Sequence, residues 1–301
     1  METTEKPVWF VLLLVIVGGF AGLLMGQAIG LGLASLIYPG DILAAMLNPV
    51  DEGLRVPLLI VQATTSLGGF LIAPYFIWKA LRKKGVAFFQ LNMLSAGIIF
   101  LVFAIVISFV VVDSIIIEWN QNIHFPDFLK SFEEWARAKE EQLADITKML
   151  TNFSSPTEFA IAFLVVAIFA GVCEEFFFRG IIQTEFLKGT NNIHVAIWGS
   201  AFLFSAIHAQ FFGFVPRMLL GGLFGYLYFW SGNLLVPMVA HIFNNGFSLV
   251  MIYLYQLKII NTDFDSPEAA PMSLIIPSLA IAIALLYFFK KKFSPSNTSI
   301  S

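Results

Sequence analysis

The chain has 301 residues, 58% of them hydrophobic and 12% charged, with a formal net charge of −3 and one cysteine, Cys173. Soluble domains lie nearer half apolar and a quarter charged, so this composition leaves too little polar surface for a water-facing fold and fits a lipid bilayer as solvent. The absence of a basic patch with interleaved aromatics excludes nucleic acid as a partner, and a lone cysteine excludes an internal disulfide.

The first charges are Glu2, Glu5 and Lys6, and the apolar run after them is far longer than the core of a cleavable signal, so it reads as a retained first helix. A crossing needs about 20 apolar residues. Eight stretches qualify as expected spans: Val8–Tyr38, Val56–Leu81, Leu94–Ile117, Thr157–Leu187, Ile193–Phe212, Val215–Trp230, Leu234–Leu257 and Pro271–Phe289. The expected fold is an all-α, polytopic transmembrane helical bundle. Its parts are N-terminal spans in 1–117, an extracytoplasmic amphipathic loop in 118–156, a four-helix core in 157–257, and a last helix with a disordered tail in 258–301. The sixth stretch is short and holds Gly221, Gly222 and Gly225, which let helices approach closely in lipid.

Within the loop, Ser131 followed by Glu134 has the spacing of a capping box, and Trp135, Leu143, Ile146 and Leu150 recur near helical spacing. That pattern fits an amphipathic connector on the membrane surface better than a lid over a site. Lys6, Lys79, Arg82, Lys83, Lys84, Lys188 and Lys290–Lys292 all fall at one side of an eight-span topology, whereas Asp51, Glu52, Asp263, Asp265 and Glu268 fall at the other. The positive-inside rule puts the basic side and both termini in the cytoplasm. In a bacterium the membrane would be the plasma membrane.

The spans contain residues that lipid does not tolerate. Glu174, Glu175 and Arg179 lie midway along the fourth, and a charge at the bilayer centre costs at least about 2.5–3.5 kcal/mol. They must face protein or a water-filled cavity. Glu175 and Arg179 are four apart and can pair, which leaves Glu174 free for another task. His208 lies in the fifth span, and His241 and Asn245 share a face of the seventh, at depths that suggest one cluster nearer the cytoplasmic side. A single intramembrane histidine is commonly a helix–helix hydrogen bond, and a Glu–Arg pair alone a structural staple. Their joint occurrence on three helices argues for a site. His124 and His194 fall at loops or span ends and carry no expected role. A carboxylate in a dry cavity can take a proton from water, and two imidazoles with a carboxylate can instead hold zinc; both arrangements are hydrolytic. No His-Glu-x-x-His or Gly-x-Ser-x-Gly motif is present.

The three segments Glu174-Glu175-FFF-Arg179, Phe204-SAI-His208 and His241-IFN-Asn245 resemble the motifs of the CAAX protease and bacteriocin-processing (CPBP/Abi) family of intramembrane proteases, which includes type II CAAX prenyl endopeptidases. The resemblance covers about residues 157–256. It implies a membrane endopeptidase acting on a peptide or membrane-protein substrate. By that resemblance Glu174 activates water, His208 and His241 bind that water or a metal, Asn245 stabilises the oxyanion, and Glu175 and Arg179 support the geometry. If a metal is bound, zinc on Glu174, His208 and His241 is the expected set. A non-catalytic scaffold or immunity-type protein of the same fold, and a proton-coupled transporter, are the alternatives.

Overall fold

The structure, a computed structural model, describes residues 5–47, 52–262, 266 and 268–293. The expected disordered tail begins after Lys292, but Phe293 still belongs to the last helix; the rest of that tail, from Ser294 onward, and Asp51, Asp263 and Asp265 of the acidic loops lie outside the described residues. Among the described residues all regular structure is helical. The long elements are α1 (Val8–Ser35), α2 (Arg55–Arg82), α3 (Ala96–Gln121), α4 (Lys130–Thr151), α5 (Pro156–Thr190), α6 (Ile193–Ala206), α7 (Phe214–Ser231), α8 (Leu235–Gln256) and α9 (Met272–Phe293). The chain is an integral membrane protein: six helices (α1, α2, α3, α5, α8 and α9) are long and apolar enough to cross a bilayer.

Of the two remaining expected spans, the fifth is shorter than expected and the sixth, read as short, is helical over Phe214–Ser231. Helix α6 has 14 residues, about 21 Å at 1.5 Å per residue, against a hydrocarbon core of about 30 Å. It ends at Ala206 rather than running on to Phe212. His208 therefore lies not inside a helix but in the turn that follows, where Ala209 adopts a left-handed φ of 51°. Helix α7 has 18 residues and returns from that turn.

Helix α5 is the hub. In its most apolar window 56% of residues are buried, against 39% for α8 and 17% for the peripheral α9. It is not regular throughout: Phe163–Phe169 and Phe176–Gln183 are wound as wide π-type turns, a feature common at functional sites. Phe176, Phe177, Phe178, Ile181 and Ile182 are buried in one core with Trp78 and Phe89. Helix α1 lies along α2 with backbones almost touching: a Cβ on Gly22 would stand 2.3 Å from the Gly68 carbonyl oxygen. Small residues of this kind are what lets two helices pack without a hydrophobic driving force.

Basic residues gather at one end of the bundle. Arg82 binds the Glu185 carboxylate and the Lys6 carbonyl, and Lys188 pairs with Glu5. At the other end α4 forms the amphipathic helix expected there, but its start is not the expected capping box. The residue before Lys130 contributes no side-chain cap. Instead Glu133 reaches back to accept from the Phe125 amide at 2.7 Å, and it also contacts Arg137 and His124. Ser131 is already the second residue of the helix and so does not stand at its N-cap. Arg55 on α2 ties the far end of α4 to α5 by bonding the Met149 carbonyl and the Glu158 carboxylate.

Candidate active site

The six expected residues come from three places: Glu174, Glu175 and Arg179 on α5, His208 on the α6–α7 turn, and His241 and Asn245 on α8. Glu175 and Arg179 are both fully buried, and Arg179 Nη1 donates to Glu175 Oε1 at 2.6 Å. The same oxygen lies 2.8 Å from His241 Nδ1. Arg179 Nη2 donates to the Gly221 carbonyl on α7 at 2.8 Å, and its guanidinium stacks over Phe204 and Phe224. Glu175 and Arg179 thus bolt α5, α7 and α8 together. The bolt needs glycine on α7, because a Cβ on Gly221 would come within 3.1 Å of Arg179 Nη2. One turn further on, Gln183 repeats the arrangement with the Gly225 carbonyl at 3.1 Å.

Glu174 stands apart from this network. Among the described residues no donor hydrogen-bonds its carboxylate, and its side chain keeps 13% exposure while Glu175 has none. The nearest cationic or imidazole group is His241 Nε2, 4.0 Å from Glu174 Oε2. That is beyond hydrogen-bond length and suits a bridging water. The proton on His241 follows from its partners. The Glu175 oxygen accepts there, so Nδ1 carries a hydrogen, and Nε2 is the nitrogen that faces Glu174. His208 is oriented in the same way, with Nδ1 2.8 Å from the Phe204 carbonyl, which can only accept. Both imidazoles meet the Phe204 ring edge-on. Asn245 donates one amide hydrogen to the Val166 carbonyl at 3.0 Å, in the first wide turn of α5, and retains a second.

The expected zinc set does not converge. Glu174 and His241 face one another, but among the described residues no three His, Cys, Asp or Glu side chains lie close enough to hold a metal ion. Cys173 is buried and packs in the interior, and His124 and His194 make local contacts with Glu133 and Tyr226.

The turn carrying His208 follows the end of α6, away from the basic residues, while His241 lies six residues inside the start of α8 and Glu174 midway along α5. Helix α4 holds this turn. Glu140 Oε1 accepts from the Phe212 amide at 2.7 Å, Arg137 sits 4.0 Å from the centre of the Phe212 ring, and Phe132 packs on Phe211. A cavity of about 390 Å³ separates α4 from the turn, lined by Gln121, Arg137, Glu140, Glu141, Ala144, Gln210 and Phe212. Sequence reasoning missed Arg217, in the first turn of α7. Its guanidinium acts electrostatically on both Glu174 and His208. Its signal was present, as an ionisable residue inside the expected sixth span.

A buried glutamate–histidine cluster inside an all-α membrane bundle defines the class. The comparison with families is more specific: residues 156–247 carry a type II CAAX prenyl endopeptidase Rce1-like region, in agreement with the resemblance read from the motifs. That region is just under a third of the chain and contains all six expected residues. An 85-residue stretch is 34% identical to the uncharacterised protein YpbD of Bacillus subtilis (strain 168), covering 27% of this chain and 39% of that relative. The match therefore spans about two-fifths of the curated relative. No solved structure matches.

Proposed function

We propose that the protein is an intramembrane endopeptidase in which Glu174 activates a water molecule for attack on a peptide carbonyl. The observation that carries this reading is the contrast between adjacent carboxylates. Glu175 is spent on Arg179 and His241, whereas Glu174 has no hydrogen-bonding partner among the described residues and faces His241 Nε2 at 4.0 Å. A water between Glu174 and His241 Nε2 would be held by both and lose its proton to Glu174 as it attacks. The proton then passes from Glu174 to the leaving amine. The water's two hydrogens go to Glu174 and to one imidazole, His241 Nε2 or in its place His208 Nε2, and the remaining amide hydrogen of Asn245 is the donor for the developing oxyanion. Substrates are membrane-associated peptides or proteins, and the basic end of the bundle faces the cytoplasm.

The test is a cleavage assay on purified protein with a broad fluorogenic peptide pool, run alongside metal analysis and chelator. Cleavage that survives chelation supports the assignment. Activity that tracks bound zinc would reassign His208 and His241 as ligands. Absence of cleavage from the pool, together with proton flux in sealed liposomes, would replace the protease with a transporter.

A further inference from the structure

The chain has five arginines, and four hold a carboxylate directly: Arg55 with Glu158, Arg82 with Glu185, Arg137 with Glu133 and Arg179 with Glu175. Arg217 is the exception among the described residues. Its Nη2 donates to the side-chain oxygen of Gln210, a neutral amide, and its Nη1 is buried with no hydrogen-bond partner. Glu174 and Glu140 bear on it electrostatically without touching it. Its location is also unfavourable, since a cation in the first turn of a helix opposes the helix dipole. Space has been kept for it: a Cβ on Gly213 would stand 3.1 Å from Nη2. A buried guanidinium donor left unpaired is costly, and a planar fork of this kind matches a carboxylate. Gln210, which holds it, lines the cavity under α4.

We propose that Arg217, with Gln210, is a subsite for a carboxylate of the peptide substrate. The carboxylate replaces the Gln210 amide oxygen on the guanidinium fork and anchors the substrate beside Glu174. The group comes either from the substrate's C-terminus or from an acidic side chain near the cleaved bond. This inference rests on the protease reading but is tested by binding.

The probe is a fluorescein-labelled hexapeptide of alanine, leucine and valine in three forms: free acid, amide, and amide with glutamate at the penultimate position. Anisotropy is measured on the full-length Glu174→Gln protein, in which turnover does not interfere, with and without Arg217→Gln or Arg217→Lys. One carboxylate-bearing form should bind about tenfold tighter than the plain amide, as for a charge-assisted pair. The form that does so identifies the source. Arg217→Gln should remove the difference, Arg217→Lys should keep part of it, and affinity for the plain amide should not change. Equal affinity for all three forms, including no measurable binding of any, overturns the subsite, as does a preference that survives Arg217→Gln. In the protein with Glu174 intact, an equal fall in kcat for all three forms on Arg217→Gln would assign the arginine to the reacting carbonyl and also overturn it. A carboxylate preference in a protein that cleaves nothing would preserve the subsite and defeat the protease.

Discussion

Glu174 and Glu175 are neighbours in sequence, yet only one of them is part of the scaffold. Removing Arg179 would leave Glu175 buried beside His241 without its cation, and stranding one partner of a buried pair costs about 3–5 kcal/mol. Arg179→Met is therefore expected to lower the melting temperature in detergent sharply, whereas Glu174→Gln, which strands nothing, should leave it near the wild-type value. The Glu175–Arg179 contact was legible from the i,i+4 spacing. The second contact of Glu175, to His241, spans 66 residues of sequence and depends on how α5 meets α8, which no local pattern encodes. Arg217 was legible only as a charge in an apolar span; its missing partner becomes visible once the other four arginines have found theirs.

At the level of elements, α4 and α6 decide how the site is presented. The amphipathic pattern of α4 was legible, but its cap was not, because Glu133 bonds an amide that precedes the helix by several residues. That amide, with help from Arg137 and His124, pulls the Glu133 carboxyl from 4.5 down to about 2. A depressed folded value stabilises the docked cap above the ordinary value, and the contribution is lost as pH falls from 4.5 toward 2. Wild type should thus melt above Glu133→Gln at pH 6, and the gap should close toward pH 2. A second element-scale expectation concerns α7. A larger residue at Gly225 meets Gln183 and Ile197 at 2.8 Å, so Gly225→Val should push α7 from α5 at a cost of about 1–3 kcal/mol, read as a fall in melting temperature. Glu140→Ala frees the Phe212 amide and should reduce kcat more than stability, because the turn it releases carries His208.

Across the whole molecule, composition alone identified a helical membrane bundle, and six of the eight expected spans have full crossing length. The fifth was misjudged in length because the apolar run continues past Ala206 into a turn, and hydropathy cannot tell a helix from a turn packed inside protein; the sixth, read as short over Val215–Trp230, is helical over Phe214–Ser231. That difference has consequences for function: a short α6 lets the loop carrying His208 dip into the bundle and places the cavity at the end away from the basic residues. The family region supplies the hub helix α5 with α6, α7 and most of α8, while α1 and α2, outside that region, share the core of α5 through Val11, Val15 and Trp78. The most direct measurement is cleavage by three purified proteins, the wild type, Glu174→Gln and Glu175→Gln, each accompanied by its melting temperature. The account predicts that Glu174→Gln retains the wild-type melting temperature while losing at least about 100-fold in kcat, as expected when a general base is removed, and that Glu175→Gln loses stability first. Cleavage at the wild-type rate by a folded Glu174→Gln protein would contradict it.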